Sequence, residues 1–268
     1  MSDTPATPKL PDLAKSRFGP ISPAEQKLFE AAADGNDADC TSLSQSDRII
    51  HADRLLWLCT DPDASALVRY RGVSIIRAEI DGEVDLEWAK ISFPLRIRWC
   101  VFKNAIILRS GRLFTLDLLG TSIKDLTAEG LVVEHSVVLS DGFTAHGEVD
   151  LTAAKIGGFL NCSGGNFVGK GEAPALNLSG AHIEGYVFLR RGDDRDFEAE
   201  GGVNLTAAKI EGGLDCSGGH FVGKCSVPAL SALFMISSTT ELPRMRTCSS
   251  AGFICSRKNR SCLNHTSN

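Results

Sequence analysis

A chain of 268 residues with 43% hydrophobic, 23% charged and only 7% aromatic content must build its core from Leu, Ile, Val and Ala rather than from large rings. Its formal net charge of −5 is far from the strongly basic balance that phosphate neutralisation demands, so direct nucleic-acid binding is not expected. Nor does any window approach the roughly 18 continuous apolar residues of a membrane-spanning helix; the longest candidate runs only from Ala229 to Ile236, and no transmembrane segment is predicted.

Residues 1–21 carry Pro, Ser, Thr and acids without the apolar centre of a signal peptide, and read as a disordered leader. The nine cysteines are an odd number in a long chain with no export signal, which points to reduced thiols and a cytoplasmic protein. Ser22-Pro23-Ala24-Glu25 has the form of a capping box with Pro at the first helical position, and Gly35 ends the pattern, so a helix is predicted over about 23–34. A second helix starts near Asp47, carries Ile50, Leu55 and Leu58, and stops at Asp61-Pro62, giving a helix over about 48–60. Residues 22–71 are therefore expected to form a helical N-terminal cap that blocks the edge of whatever follows.

From Gly72 onward the period changes to apolar residues two apart, the signature of short strands. The pairs run Val73/Ile75, Val84/Leu86, Leu95/Ile97, Ile106/Leu108, Leu116/Leu118, Val137/Leu139, Val149/Leu151, Leu160/Cys162, Leu176/Leu178, Val187/Leu189, Val203/Leu205 and Leu214/Cys216. They stand about 11 residues apart at first and then alternate 11 and 16, so two steps make a period of about 22 early and 27 late. Residues 147–170 and 201–224 share 18 of 24 positions at an offset of 54, which is two periods, so the near-identical copies are not adjacent coils.

Within a period the shorter step is five, as from Leu151 to Ile156, Leu178 to Ile183 and Leu205 to Ile210, with Ala or Gly between. LNLSG-AHIEG, VDLTA-AKIGG and VNLTA-AKIEG resemble the units of pentapeptide-repeat proteins, and more closely a set of bacterial proteins with degenerate repeats of that kind. The resemblance covers roughly 72–232. It implies a right-handed quadrilateral parallel β-helix with the central Leu or Ile inward, of about seven coils and about 34 Å in length at a strand spacing of about 4.8 Å. Over 81–224 the sequence has 20 acids and 14 bases between the apolar pairs, which reads as a solvated outer surface.

The chemically suggestive residues each have a structural reading. Cys162 and Cys216 fall on inward positions, where a thiol acts as a small hydrophobe, and Leu189 lies between them in the ladder. Ser163-Gly164-Gly165 and Ser217-Gly218-Gly219 read as corner turns rather than phosphate loops, and GGNFVGK as the excursion that lengthens its coil. Lys170 and Lys224 sit on exposed excursions beyond Phe167 and Phe221 and could together meet an anion. Gly192–Gly202 gathers Asp193, Asp194, Asp196, Glu198 and Glu200 on one solvated loop that lacks calcium-loop spacing. The histidines, at 51, 135, 146, 182, 220 and 265, are scattered. The repeat register is lost near Leu233, and residues 233–268 read as an irregular tail with five bases against one acid, consistent with translation in a shifted frame. Cys248, Cys255 and Cys262 there, taken with Cys225 or His265, match no common zinc spacing and no β-hairpin knuckle.

No catalytic, cofactor-binding or metal residue is assigned, and the balance leans away from an enzyme. The leading expectation is a non-enzymatic structural or protein-interaction scaffold with a protein partner, with an end-to-end homodimer as a further option. By family resemblance the alternative is a DNA-mimicking topoisomerase inhibitor, and a third reading is a membrane-associated oxidoreductase using the cysteines.

Overall fold

The computed structural model describes residues 9–223 and 229–231 in full, together with the backbone of 235–236, 245–246, 254–257 and 260–263. From Val73 onward the chain winds as a right-handed parallel β-helix of about seven turns. Each full coil crosses four faces. The first face stacks Val84–Asp85, Ile106–Ile107, Leu126–Thr127, Val149–Asp150, Leu176–Asn177, Val203–Asn204 and Leu230–Ser231. The second holds Val132–Val133, Lys155–Ile156, His182–Ile183 and Lys209–Ile210, the third Val137–Val138, Leu160–Asn161, Tyr186–Phe188 and Gly213–Asp215, and the fourth Ser122–Ile123, Thr144–Ala145, Asn166–Val168, Glu198–Glu200 and His220–Val222. In the early coils the second and third faces are one sheet, because Lys90–Arg98 and Arg112–Asp117 run unbroken round that corner.

All twelve apolar pairs are inward: from Val73/Ile75 to Leu214/Cys216 every member is buried. The corners after the first and third faces share one piece of turn chemistry. The outward Asp or Asn of the strand accepts a hydrogen bond from the amide two residues on, as Asp150 from Thr152 (2.9 Å), Asn161 from Ser163 (3.0 Å), Asn177 from Ser179 (3.2 Å) and Asn204 from Thr206 (3.0 Å). One residue further the backbone turns left-handed, at Ala153, Gly164, Gly180 and Ala207. This is why V-D-L-T-A and L-N-C-S-G recur: one residue packs inward, the next closes the turn, and the last must tolerate positive φ.

The step along the first face is 22, 20 and 23 residues, then 27 three times, and the added residues leave at different corners. In one coil they follow the fourth face, at 169–174; in the next they follow the third, at 190–197. GGNFVGK is therefore not the excursion: Asn166–Val168 is a strand with Phe167 buried, and the extra length begins at Gly169. Likewise Glu198–Glu200 belong to a strand of the fourth face rather than to an acidic loop, because their amides pair with Asn166–Val168.

The interior explains the 54-residue offset. At two neighbouring positions of the fourth face, successive coils carry Phe143/Ala145, Gly165/Phe167, Phe197/Ala199 and Gly219/Phe221, stacked in that order. Between neighbouring coils of this stack each ring thus faces a small residue, and the four rings interleave at centroid distances of 5.3, 5.4 and 5.2 Å. A large–small alternation repeats every second coil, so sequence identity does too.

At the N-terminus two expectations are corrected. Leu10–Phe18 is a helix (α1), not part of a disordered leader: Leu10 and Ala14 are buried, Phe18 meets Trp57 edge-on at 5.4 Å, and the Arg54 guanidinium lies over its ring. Pro23–Asp34 (α2) forms as predicted, with the Ser22/Glu25 capping box made and Gly35 left-handed. The next helix (α3) spans only Ala52–Thr60, followed by Pro62–Ala66 (α4). Ile49–His51 is a strand instead, since Glu79–Asp81 supplies a parallel neighbour, and Ala38–Asp39 likewise pairs with Ile75–Ile76. The solenoid's hydrogen-bonding begins inside the cap. Buried Glu25 ties these parts together, accepting from the Ser22 amide (2.9 Å) and the His51 amide (3.1 Å) and pairing with Arg54 Nε (3.1 Å).

At the other end, Met235–Ile236 stack in parallel on Lys209–Ile210 and Met245–Arg246 on Phe221–Val222, so the ladder runs past Leu233, where the sequence pattern stops. Ile254–Arg257 and Arg260–Leu263 form an antiparallel pair that sets Cys255 opposite Cys262, a hairpin not expected there. Cys225, Cys248, Lys224 and His265 lie outside the described residues. No helix among the described residues is long and apolar enough to cross a membrane.

Candidate functional site

The residues singled out for their chemistry are mostly wall. Cys162 and Cys216 are buried in one ladder with Leu139 and Leu189, and burial raises both thiols, that of Cys216 to about 12. Burial likewise pushes Cys59 and Cys100 to about 12. A thiol so protonated is a poor nucleophile. Ser163 and Ser217 donate to Asn161 and Asp215 within their own turns, and Gly165 and Gly219 lie against the rings of Phe167 and Phe221, so these turns close corners and hold no phosphate geometry.

Lys170 lies 3.7 Å from Asp125 and so faces an acid rather than an anion site. The acids of 193–200 are dispersed: Asp196 pairs with Arg191 (3.4 Å) and His220 (3.3 Å), Glu198 and Glu200 point out from the fourth face, and Asp193 and Asp194 border a hollow beside Asp141 and Arg195. His51 contacts Glu25, His146 contacts Ser122, His182 contacts Glu211, and His135 packs on Phe114. Among the described residues no group of His, Cys, Asp and Glu is placed to hold a metal ion.

Two surface features were not read from the sequence. The first is on the third face, where the residues beside the inward positions point outward. Phe159 and Tyr186 stand there 41% and 45% exposed, in adjacent coils. Phe188, on the same strand as Tyr186, is stacked with it at 5.7 Å, faces Phe159 at 6.3 Å and lies under the Arg190 guanidinium at 5.0 Å. The signal was available: an aromatic one residue away from an inward Leu or Val of a strand must face solvent. Beside this patch Gly158, Gly185 and Gly212 stack in one ladder, and a methyl group on Gly185 would fall 2.6 Å from the Gly158 carbonyl oxygen. The aromatic rings thus border a strip of bare backbone.

The second feature is the edge between the third and fourth faces. Trp99 occupies the left-handed corner position there with φ 51°, is 44% exposed, and its indole lies over Gly120 of the next coil. Elsewhere the outer surface mixes signs: Lys103 pairs with Glu79, Arg109 with Glu87 and Glu129, Lys209 with Glu211, and Arg190 with Asp215. No family model, curated protein or solved structure matches the chain.

Proposed function

We propose that the protein is a non-enzymatic scaffold that binds a protein partner through its third face. The observation that carries this reading is the aromatic group Phe159, Tyr186 and Phe188, packed together across two coils with Phe159 and Tyr186 exposed and Phe188 half-buried. Rings held rigid by a β-ladder offer contact area at little entropic cost, and Tyr beside Arg is the composition of binding hot spots. The array as a degenerate pentapeptide-repeat solenoid is part of the same proposal, supported by the four-sided coil and its corner turns.

The DNA-mimic alternative requires a continuous acidic stripe, and the ion pairs interleaved along the faces speak against it. The oxidoreductase reading draws on thiols that are buried and hold their protons. The test is affinity capture from cell extract with the wild-type chain and with Tyr186→Ala/Phe188→Ala, using Thr127→Ala on the first face as control. A partner lost only with the aromatic variant is expected; capture indifferent to that variant overturns the assignment of the surface.

A further inference from the structure

Trp99 stands on a ridge between two hollows of opposite charge. Toward the cap a hollow of about 340 Å³ is bordered by Arg48, Arg77, Glu79 and Val101; away from it one of about 320 Å³ is bordered by Asp141, Asp193, Asp194 and Arg195. The positions are ordered along the rod. The amide of Arg77 bonds the carbonyl just before Trp99, that of Trp99 the carbonyl just before Gly120, and that of Gly120 the carbonyl just before Asp141. These four residues therefore occupy the same corner of four successive coils, about 4.8 Å apart. The excursion 190–197 folds back along this edge, and a methyl group on Gly142 would touch the Arg195 guanidinium at 3.8 Å.

We infer that this edge is an isologous dimer interface, with a second copy of the chain lying antiparallel along it. A two-fold axis perpendicular to the rod, passing between the Trp99 and Gly120 coils, exchanges the place of Arg77 with that of Asp141. It sets Arg48 and Arg77 of one copy against Asp141, Asp193 and Asp194 of the other, twice. A surface that is basic on one side of an aromatic and acidic on the other is complementary to itself only in this orientation. The two indoles meet at the axis, each already seated on the bare Gly120 corner. The strained residue fits the same role: the left-handed region is unfavourable for Trp, and two of the three coils after Asp141 put Gly at this corner, at Gly164 and Gly218, with Arg191 between them. Among the described residues Arg77, Asp141, Asp193 and Asp194 take part in no ion pair, whereas most neighbouring charges do. Glu79 and Arg195 oppose the sign of their own hollows, leaving net +1 against −2 from the residues named.

The test is sedimentation velocity on the full chain across a dilution series at low and high salt. The expected result is a particle of twice the 28.7 kDa chain mass that dissociates on dilution and more readily in salt. Arg77→Glu alone and Asp193→Lys/Asp194→Lys alone each become monomeric where the wild type is dimeric. Mixing the two variants restores a dimer, since both contacts then join opposite charges; the same rescue shows that each variant folds. Trp99→Ala raises the dissociation constant at least tenfold. A wild type that is monomeric throughout, a dimer that survives both reversals, or variants that stay monomeric when mixed overturns the proposal.

Discussion

The first coils and the last coils share one backbone and differ in how much the interior dictates. From Val149 onward each coil is 27 residues, the left-handed corners after the first face are Ala153, Gly180 and Ala207, and the fourth-face interior alternates ring and glycine. Before it the coils are 20–23 residues, the equivalent corners are Trp88, Ser110 and Gly130, and the equivalent interior residues are Cys100 and Thr121. The late coils resemble one another because their rings interlock; the early ones keep only the inward pattern. Sequence identity therefore marks where packing is tightest, not where chemistry is duplicated.

The largest expected effect comes from breaking the interlocked rings. Phe197 lies between Phe167 and Phe221, so Phe197→Ala opens a void in the middle of the stack and should destabilise the array by about 3–5 kcal/mol. Gly219 presents the converse problem, since an added methyl would fall 2.5 Å from the Leu189 carbonyl oxygen and 2.8 Å from the Phe221 ring; Gly219→Ala should cost about 1–3 kcal/mol. Thr121 is the same ladder position in the early coils and already carries a side chain, whose hydroxyl donates to the Ile97 carbonyl at 2.7 Å. Thr121→Ala should cost about 1 kcal/mol. Urea midpoints followed by circular dichroism rank the three. If Gly219→Ala is as mild as Thr121→Ala, the late coils are no more tightly packed than the early ones.

The corner residues sharpen the comparison with a change of sign. Trp88, Ser110, Gly130, Ala153, Gly180 and Ala207 are one ladder of left-handed positions. A side chain there costs about 1–2 kcal/mol, whereas glycine loses about 0.5–1 kcal/mol more than another residue through its freer unfolded chain. Trp88 is 73% exposed and so recovers little by packing. Trp88→Gly should therefore stabilise the protein by about 0.5–1 kcal/mol. Gly180→Ala should destabilise it by a similar amount, its site being open enough that only the backbone responds. Thermal melts of both variants check this, and a destabilised Trp88→Gly would mean that the indole holds something in place.

How much of this could be read in advance follows from what each signal depends on. The inward residues were legible because strand period alone decides them, and the Ser22–Glu25 capping box was legible because it is local. Ile49–His51 was not, since three residues form a strand only when Glu79–Asp81 lies beside them. Nor was α1: its sequence is polar overall, and what orders it is burial of Leu10 and Ala14 and the contact of Phe18 with Trp57, which sit far along the chain. Excursions were misplaced because Gly-rich turns occur at every corner, so that composition does not say which corner is lengthened. The third-face aromatics were readable from alternation with Leu160 and Val187. The charges flanking Trp99 were not, because Arg48, Arg77, Asp141 and Asp194 meet only through the stacking of coils and a folded-back loop.

The smallest expected effect concerns a carboxylate on the first face, at the junction of the two regions. Glu148 precedes the first 27-residue coil, and its pKa is raised above the ordinary 4.5, first by burial and then by Asp150 and Asp125, against a hydrogen bond from Asn177 Nδ2 at 3.4 Å. Because the fold disfavours the charged form, the unfolded chain gives up this proton first as pH rises. Stability is then lost from 4.5 upward through the raised value and fully regained below 4.5. Glu148→Gln cannot ionise and keeps an oxygen to accept from Asn177. It should be more stable than the wild type at neutral pH by less than about 0.5 kcal/mol, with the difference closing below pH 4.5. Urea midpoints at the two pH values decide it. A Gln variant less stable at neutral pH would mean that the charge pairs favourably with the excursion carrying Lys170, and that the longer coils are tied to the shorter ones by ion pairing across this face rather than by backbone stacking alone.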